Sequence, residues 1–423
     1  MYKKTTLDNG LRIITIPLKE SKSITVLILV KTGSKYETKE TSGISHFLEH
    51  MCFKGTNKRP LPIDISETLD SIGGNFNAFT SQEYTGYYAR VASAHFETAL
   101  DWVSDIYLNS KYPKEELEKE KGVIIEEINM YYDQPIQHVQ YLWGKLLYGD
   151  QPAGWNIAGT KESVRGITRE KMVNYVSRQY TAPNTIVCVA GNIEESSVIE
   201  KVKEYFSELK KDQAMGKEEV KEEQLEANIL LESRKTDQTH LYLGVRAYNI
   251  SHPDRYTQKL LSIILGGMMS SRLFIEIREK LGAAYYVGTE SSSDSDTGYL
   301  AARAGVDNKK LEEVIKVILK EYKKITEEEV PPKELKKAKE YVKGKTSLAL
   351  ETSAAQASFY TNQELLEDEI LTPEEIFKKI DAVTSQDILR VAKDIFQFNK
   401  LNFAMIGPSQ EEQKIKEILK QWK

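Results

Sequence analysis

The sequence predicts an α+β protein built from two homologous domains, each a mostly antiparallel sheet covered by helices. Three observations lead to this prediction. Strand-like and helical hydrophobic periods alternate along the chain, and four short patterns from the first half recur in the second. In addition, 423 residues are too many for one ordinary core, so at least two domains are expected.

The elements of the first half follow from hydrophobic periodicity and turn residues. Apolar or alternating runs predict strands at Leu11–Leu18, Ser23–Lys31, Asn75–Ser81, Tyr84–Val91 and Thr185–Ala190. Apolar residues spaced by three and four predict helices at about 42–54 and at Ile63–Ile72, Ala94–Asn109, Lys114–Asp133, Pro135–Tyr148, Thr168–Gln179 and Ser196–Leu209. In the helix at 42–54, Thr41 or Ser42 is suited to cap the start, and Gly55 is placed to end it.

Recurring patterns relate the second half to the first. In chain order, each pattern and its second copy are Thr85–Tyr87 with Thr297–Tyr299, Pro113–Leu117 with Pro332–Leu335, Ile167–Tyr180 with Val383–Phe396, and the strand ending at Gly191 with the one ending at Gly407. Four matches in the same order indicate an internal duplication. We therefore expect domains at 1–209 and 229–423, joined by a highly charged linker at 210–228.

Composition excludes several classes of function. A net charge of −5 gives no electrostatic reason to expect a nucleic-acid partner. No run of about 18 apolar residues predicts a membrane span, and residues 1–18 lack the apolar core of a secretory signal. Cys52 and Cys188 are too few for a disulfide framework and suit a reducing compartment. We expect a cytoplasmic protein.

One predicted helix carries three polar residues on an otherwise apolar element. His46, Glu49 and His50 are spaced at i, i+3 and i+4, so their side chains project from one face. Two neutral imidazoles one turn apart are what a zinc ion takes from a single helix, and the carboxylate between them can accept a proton from an attacking water. A chance pair of surface histidines is the alternative. The apolar surroundings favour the metal, because buried polar groups are costly unless a partner satisfies them.

A zinc site with two histidines needs a third protein ligand, and the helix Lys114–Asp133 offers Glu126 and Glu127. Helical geometry places Glu127 on a mostly apolar face with Val123 and Ile124, whereas Glu126 shares its face with more polar residues. Geometry therefore favours Glu127. Solvated surface charge is the alternative for so acidic a helix.

Residues 42–56, which contain the H-x-x-E-H pattern, resemble the inverzincin peptidases, the group of insulin-degrading enzyme, pitrilysin and the mitochondrial processing peptidase. The resemblance covers nearly the whole chain and is strongest to short bacterial members similar to processing-peptidase subunits. It implies a zinc metalloendopeptidase with one Zn²⁺ per chain. Glu127 would be the third ligand. Glu120, seven residues earlier, would orient a ligand or tune the metal site.

The same resemblance implies residues that bind substrate. Gly74–Thr80 is similar to the family's edge strand beside the metal, to which an extended peptide adds as a further strand, here through Asn77 and Ala78. In the second half, Arg278 and Tyr285 match a pair that binds the substrate carbonyl and stabilises the tetrahedral intermediate.

Members of this family enclose a chamber between two large halves, and the chain matches one such half of the clamshell. The resemblance therefore implies a dimer whose substrates are unfolded oligopeptides or presequence-like peptides. A homodimer is favoured over a heterodimer, because this chain carries both the zinc motif and the Arg/Tyr pair. The alternatives are a subunit of a heteromeric processing peptidase and a non-catalytic assembly protein of the same fold.

Overall fold

Two units, each built around one sheet, make up the structure. This computed structural model describes residues 2–408 and 412–422. Unit 1 comprises Met1–Asn129, Trp155–Glu218 and Leu348–Ile370, and unit 2 comprises Met130–Gly154, Glu219–Ser347 and Leu371–Lys423. Each unit therefore contains one segment from the opposite half of the sequence.

The strands form one six-stranded and one five-stranded sheet. In chain order they are β1 Lys3–Thr6, β2 Arg12–Pro17, β3 Ser23–Val30, β4 Asn75–Thr80, β5 Thr85–Ala92, β6 Thr185–Gly191, β7 Asn228–Ser233, β8 Gln238–Arg246, β9 Ala284–Ser293, β10 Gly298–Asp307 and β11 Leu401–Gly407. Their spatial orders are β1-β2-β6-β3-β5-β4 and β7-β11-β8-β10-β9. Within the described residues, β2 with β6 and β7 with β11 are parallel, and the other neighbours are antiparallel. The predicted α+β class is confirmed.

Helices connect and cover these strands. In chain order they are α1 Ile44–Met51, α2 Pro62–Asp70, α3 Phe96–Leu108, α4 Lys114–Asp133, α5 Pro135–Tyr148, α6 Lys161–Gly166, α7 Arg169–Gln179, α8 Glu195–Phe206, α9 Arg255–Gly266, α10 Leu311–Glu327, α11 Pro332–Ala349, α12 Ser353–Leu366, α13 Pro373–Ala382, α14 Ser385–Ile395 and α15 Glu412–Lys420. The order α4 to α7, β6, α8 recurs as α11 to α14, β11, α15. This recurrence is the architecture that an internal duplication predicts.

Both sheets need helices on both faces, because their central strands are apolar on both sides. Strands β6 and β11 are buried along their whole length. In unit 1, α1 and α3 cover one face, where Phe47 and Trp102 pack with Ile28 of β3. Helix α12 covers the opposite face, where Tyr360 packs with Cys188 of β6.

In unit 2, helix α5 covers one face of the five-stranded sheet. Its Trp143 stacks on Tyr242 of β8, with ring centroids 5.6 Å apart. The predicted domains 1–209 and 229–423 thus exchange one helix each, since α5 belongs to unit 2 and α12 to unit 1. The predicted linker 210–228 has no helix or strand before β7 begins, and its Lys217 forms an ion pair with the buried Glu83.

Candidate metal centre

Helix α1, which carries the H-x-x-E-H pattern, is shorter than predicted and is capped by a different residue. It begins after Gly43, whose φ of 89° is left-handed, and neither Thr41 nor Ser42 caps it. The cap is the carboxylate of the buried Glu37, which accepts hydrogen bonds from the N–H groups of Gly43 (2.7 Å) and Ser45 (2.9 Å). A carboxylate there satisfies two free N–H groups and lies at the positive end of the helix dipole.

Position 43 also requires a glycine because there is no room for a side chain. A Cβ at this position would lie 2.6 Å from the carbonyl oxygen of Ala158, closer than atoms can approach. The helix ends at Met51, and Gly55 follows in a loop with a φ of 119°. The predicted bounds of about 42–54 were therefore too wide at both ends: Glu37 caps the start, and residues 52–54 already form a turn and a bend.

Glu37 makes the stability of this region depend on pH. Burial raises its pKa to about 7, although the hydrogen bonds from Ser45 and Gly43 oppose the shift. Because the folded-state pKa is higher than the unfolded one, the contribution of Glu37 to stability is fully present below about pH 4.5 and is lost as the pH rises through about 7, a change of about 3 kcal/mol. We expect Glu37→Gln to reduce the decline in the thermal midpoint of the metal-free protein between pH 5 and pH 7.5.

The matched control is Glu97→Gln, since the side chain of Glu97 is 76% exposed. This control should decline with pH as the wild type does. Calorimetry in the presence of a chelator measures the thermal midpoint of all three proteins. An equal decline of the midpoint with pH in wild type, Glu37→Gln and Glu97→Gln would show that Glu37 is not the cause.

The structure brings His46, His50 and Glu127 together. Glu127 Oε2 lies 3.6 Å from His46 Nε2 and 3.5 Å from His50 Nε2, and one ligand atom from each residue falls within 4.8 Å of the others. In the part of the chain that the structure describes, this is the one such group of three. Glu126, the alternative to Glu127, is exposed on the surface of α4.

These three residues fit a zinc ion in both chemistry and spacing. Zinc bonds of about 2.1 Å in a tetrahedral arrangement place ligand atoms about 3.4 Å apart, close to the two observed separations. Two imidazole nitrogens and one carboxylate oxygen are a common donor set for a catalytic zinc. The side chains are 12%, 21% and 23% exposed, so the group is accessible from one side.

Glu120, which is itself paired with Lys54, orients the imidazole ring of His50. Nδ1 of His50 donates a hydrogen bond of 3.1 Å to Glu120 Oε2, which leaves the Nε2 lone pair for a metal. The other oxygen of Glu120 forms an ion pair with Lys54. Burial opposes ionisation of Glu120, but the hydrogen bonds from His50 and Lys54 outweigh it and lower its pKa.

The two histidines differ in their surroundings. Burial, together with the neighbouring His50, lowers the pKa of His46 to about 4. Burial would also lower the pKa of His50, but hydrogen bonds to Glu120 and Glu127 outweigh it and raise this pKa to about 9. Of the two histidines, His50 is therefore the one whose carboxylate partners favour its charged form.

Glu49 lies on the same face of α1 and contacts the edge strand β4. Its Oε2 accepts a hydrogen bond of 2.6 Å from Thr80 Oγ1. Burial raises the pKa of Glu49, whereas the Thr80 hydrogen bond lowers it. A half-buried carboxylate beside a group that fits a metal is suited to act as a general base.

Strand β4 offers a free edge, because it is the last strand of its sheet. The Ser81 N–H bonds to the Tyr84 carbonyl, and in this register the odd-numbered residues of β4 bond to β5. The N–H and C=O groups of the even-numbered residues, including Ala78, therefore point to the free edge. The Ala78 N–H donates a bond of 2.9 Å to the side-chain Oδ1 of Asn77.

Arg278 and Tyr285 lie together in unit 2. Arg278 is in a π-helical turn, Phe274–Lys280, and its Nη1 donates a hydrogen bond of 2.8 Å to the Tyr285 carbonyl oxygen. Tyr285 sits at a β-bulge, since its neighbours Ala284 and Tyr286 pair with consecutive residues of β10. The bulge leaves Tyr285 75% exposed, and bulges commonly re-aim side chains at functional sites.

The sequence reasoning missed Thr80, Lys54 and Glu37. A signal existed for Lys54, which lies four residues after His50 and so could reach the same neighbours. Thr80 and Glu37 act through contacts between elements, and no local spacing indicates such contacts.

No helix among residues 2–408 and 412–422 combines the length and the hydropathy that a membrane crossing would require.

Comparison with known proteins places the chain among peptidases. Residues 12–161 match the family model described as "Insulinase (Peptidase family M16)", and residues 166–342 match the one described as "Peptidase M16 inactive domain". The chain is 36% identical to an uncharacterized zinc protease of Bacillus subtilis over 409 residues, covering 97% of this chain and 99% of the relative. A zinc protease of Streptomyces coelicolor is 34% identical over 420 residues, covering 97% and 90%.

Solved structures agree with this assignment. A protease from Helicobacter pylori superposes with a TM-score of 0.91 at 25% identity, covering 96% of this chain and 99% of that one. A Pseudomonas fluorescens structure titled as a peptidase M16 inactive domain has a TM-score of 0.88 at 18% identity, covering 96% and 98%, and shows the shared fold. Because the curated relatives match almost end to end and are named zinc proteases, the chain belongs to the M16 (insulinase) family of peptidases, as one of its short bacterial-type members.

Proposed function

We propose that the protein is a zinc-dependent endopeptidase that hydrolyses peptide bonds in unfolded oligopeptides or presequence-like peptides. The observation that carries this proposal is the group His46, His50 and Glu127, whose ligand atoms have the spacing of a zinc site. Glu49 on the same helix and the free edge of β4 next to it supply a base and a place for an extended peptide.

Each group would have one role in the reaction. His46, His50 and Glu127 would hold a zinc ion, which would supply Lewis acidity toward the scissile carbonyl and the attacking water. Glu49 takes the proton of that water and delivers it to the leaving amine. Glu120 would keep His50 in the tautomer whose Nε2 is free to bind the ion.

The peptide would be held by backbone pairing. An extended chain that adds to β4 can bond to the N–H and C=O groups of Ala78, in place of the Asn77 side chain that occupies the N–H now. Arg278 and Tyr285 are proposed to bind the substrate carbonyl and stabilise the oxyanion, since both offer donors and Tyr285 is exposed.

We further propose a homodimer with one zinc ion per chain, in which each chain supplies half of a closed chamber. This rests on the family resemblance, which implies two such halves around a chamber, and on this chain carrying both the zinc motif and the Arg/Tyr pair. Light scattering after gel filtration measures the number of chains in the assembly, and metal analysis measures the number of zinc ions per chain.

The decisive test is cleavage of a mixed peptide library by the zinc-loaded protein, with products identified by mass spectrometry. We expect internal cleavage of unfolded peptides, loss of cleavage after treatment with a chelator, and recovery on adding zinc. A dimeric, zinc-replete protein that binds peptides without cutting them would instead identify a non-catalytic assembly protein of this fold.

A further inference from the structure

Thr80, the last residue of β4, connects two parts of the proposed site. Its hydroxyl donates a short hydrogen bond of 2.6 Å to Oε2 of Glu49, the proposed base. Its backbone belongs to the even-numbered set whose N–H and C=O groups point to the free edge of the sheet. One residue therefore contacts the base through its side chain and borders the proposed peptide path through its main chain.

The hydrogen bond from Thr80 restricts the orientation of the Glu49 carboxylate. A glutamate on a helix has several accessible rotamers, and partial burial alone does not select one of them. Because the Thr80 hydroxyl bonds to Oε2, it limits the rotation of the carboxylate about its last side-chain bond. The β-branched side chain of Thr80 has few rotamers of its own, so its hydroxyl is a rigid donor.

Neighbouring polar groups do not duplicate this contact. Glu120 bonds to His50 and Lys54 pairs with Glu120. Asn77 bonds to the main chain of Ala78. Among the described residues whose contacts with Glu49 are given, Thr80 is the one that donates a hydrogen bond to its carboxylate.

We propose that Thr80 is a positioning residue for Glu49, holding the carboxylate in the orientation that takes a proton from the attacking water. This inference rests on the proposed peptidase function. It predicts an effect on the chemical step, and no effect on metal binding, because the Thr80 hydroxyl bonds to Glu49, which is not one of the three ligands.

The test compares three variants of the full chain, all loaded with zinc. Thr80→Val removes the hydroxyl but keeps the shape and the β-branch of the side chain, whereas Thr80→Ser keeps the hydroxyl. Thr25→Val is the matched control, since it removes a buried side-chain hydrogen bond of 2.9 Å from β3 of the same sheet. Rates are measured on an internally quenched peptide taken from the library products, and zinc content by mass spectrometry.

We expect Thr80→Val to lower kcat roughly 10- to 100-fold with KM changed less than about twofold, because one support of a general base is lost. Thr80→Ser should retain most of the wild-type kcat, Thr25→Val should match the wild type, and all should bind zinc equally. The inference is overturned if Thr80→Val equals the wild type, if Thr80→Ser is as slow as Thr80→Val, or if the loss appears in KM or zinc content. An inactive wild-type protein would instead refute the proposed function.

Discussion

Replacement of Glu49 by glutamine is expected to lower kcat by roughly 10²- to 10⁴-fold, the range that general acid–base catalysis contributes. The amide is nearly isosteric and can still accept the Thr80 hydroxyl, so the local structure should persist. It has no lone pair basic enough to take the proton of water. Zinc should stay bound, since Glu49 is outside the group of three ligand atoms.

This combination of lost activity and retained metal separates a base from a ligand. Rates on a quenched peptide and zinc content by mass spectrometry are measured on the same sample. Glu40→Gln, at an exposed position shortly before α1, is the control and should behave as the wild type. Retained activity in Glu49→Gln, or loss of zinc from it, would show that the role assigned to this residue is incorrect.

The second large effect is expected on zinc affinity, and it should distinguish Glu127 from its neighbour Glu126 in α4. Glu127→Gln should weaken zinc binding by more than about 100-fold, because supporting residues behind a ligand already contribute roughly 10- to 100-fold. Glu126→Gln changes the same charge one residue away on an exposed face, and it should leave the affinity unchanged. Titration with a competing fluorescent chelator measures both variants.

If Glu126→Gln weakened zinc binding as much as Glu127→Gln, the effect would come from the charge of α4 as a whole. The spacing of the three ligand atoms would then carry no information about the site. Equal binding by wild type and Glu127→Gln would remove Glu127 from the site altogether.

The sequence was most informative where the chemistry lies on one helix. The spacing of His46, Glu49 and His50 requires only that residues 46–50 be helical, and α1 spans them. Glu127 was favoured because its face looked apolar. In the structure that face is mixed, since Ile124 is fully buried whereas Val123 and Met130 are 51% and 46% exposed. The apolar pattern therefore favoured the right residue, but it could not show that α4 places Glu127 beside the two histidines.

What the sequence could not indicate depends on contacts between distant residues. Glu37 caps α1 across a short 3-10 turn, and Thr80 reaches Glu49 from a strand 31 residues later. The exchange of α5 and α12 was equally hidden, because periodicity shows that a helix has an apolar face but not which sheet receives it. Propensity and spacing describe single elements, and pairings between elements are set by the whole fold.

The exchange of helices has a consequence for synthesis of the protein on the ribosome. All six strands of unit 1 have been made once Gly191 is complete, but the helix that covers their second face ends only at Leu366. For about 175 further residues, roughly ten to thirty seconds of translation, that apolar face has no helix from its own chain. The nascent chain is therefore expected to depend on chaperones during this interval, and a fragment cut off at the linker should aggregate.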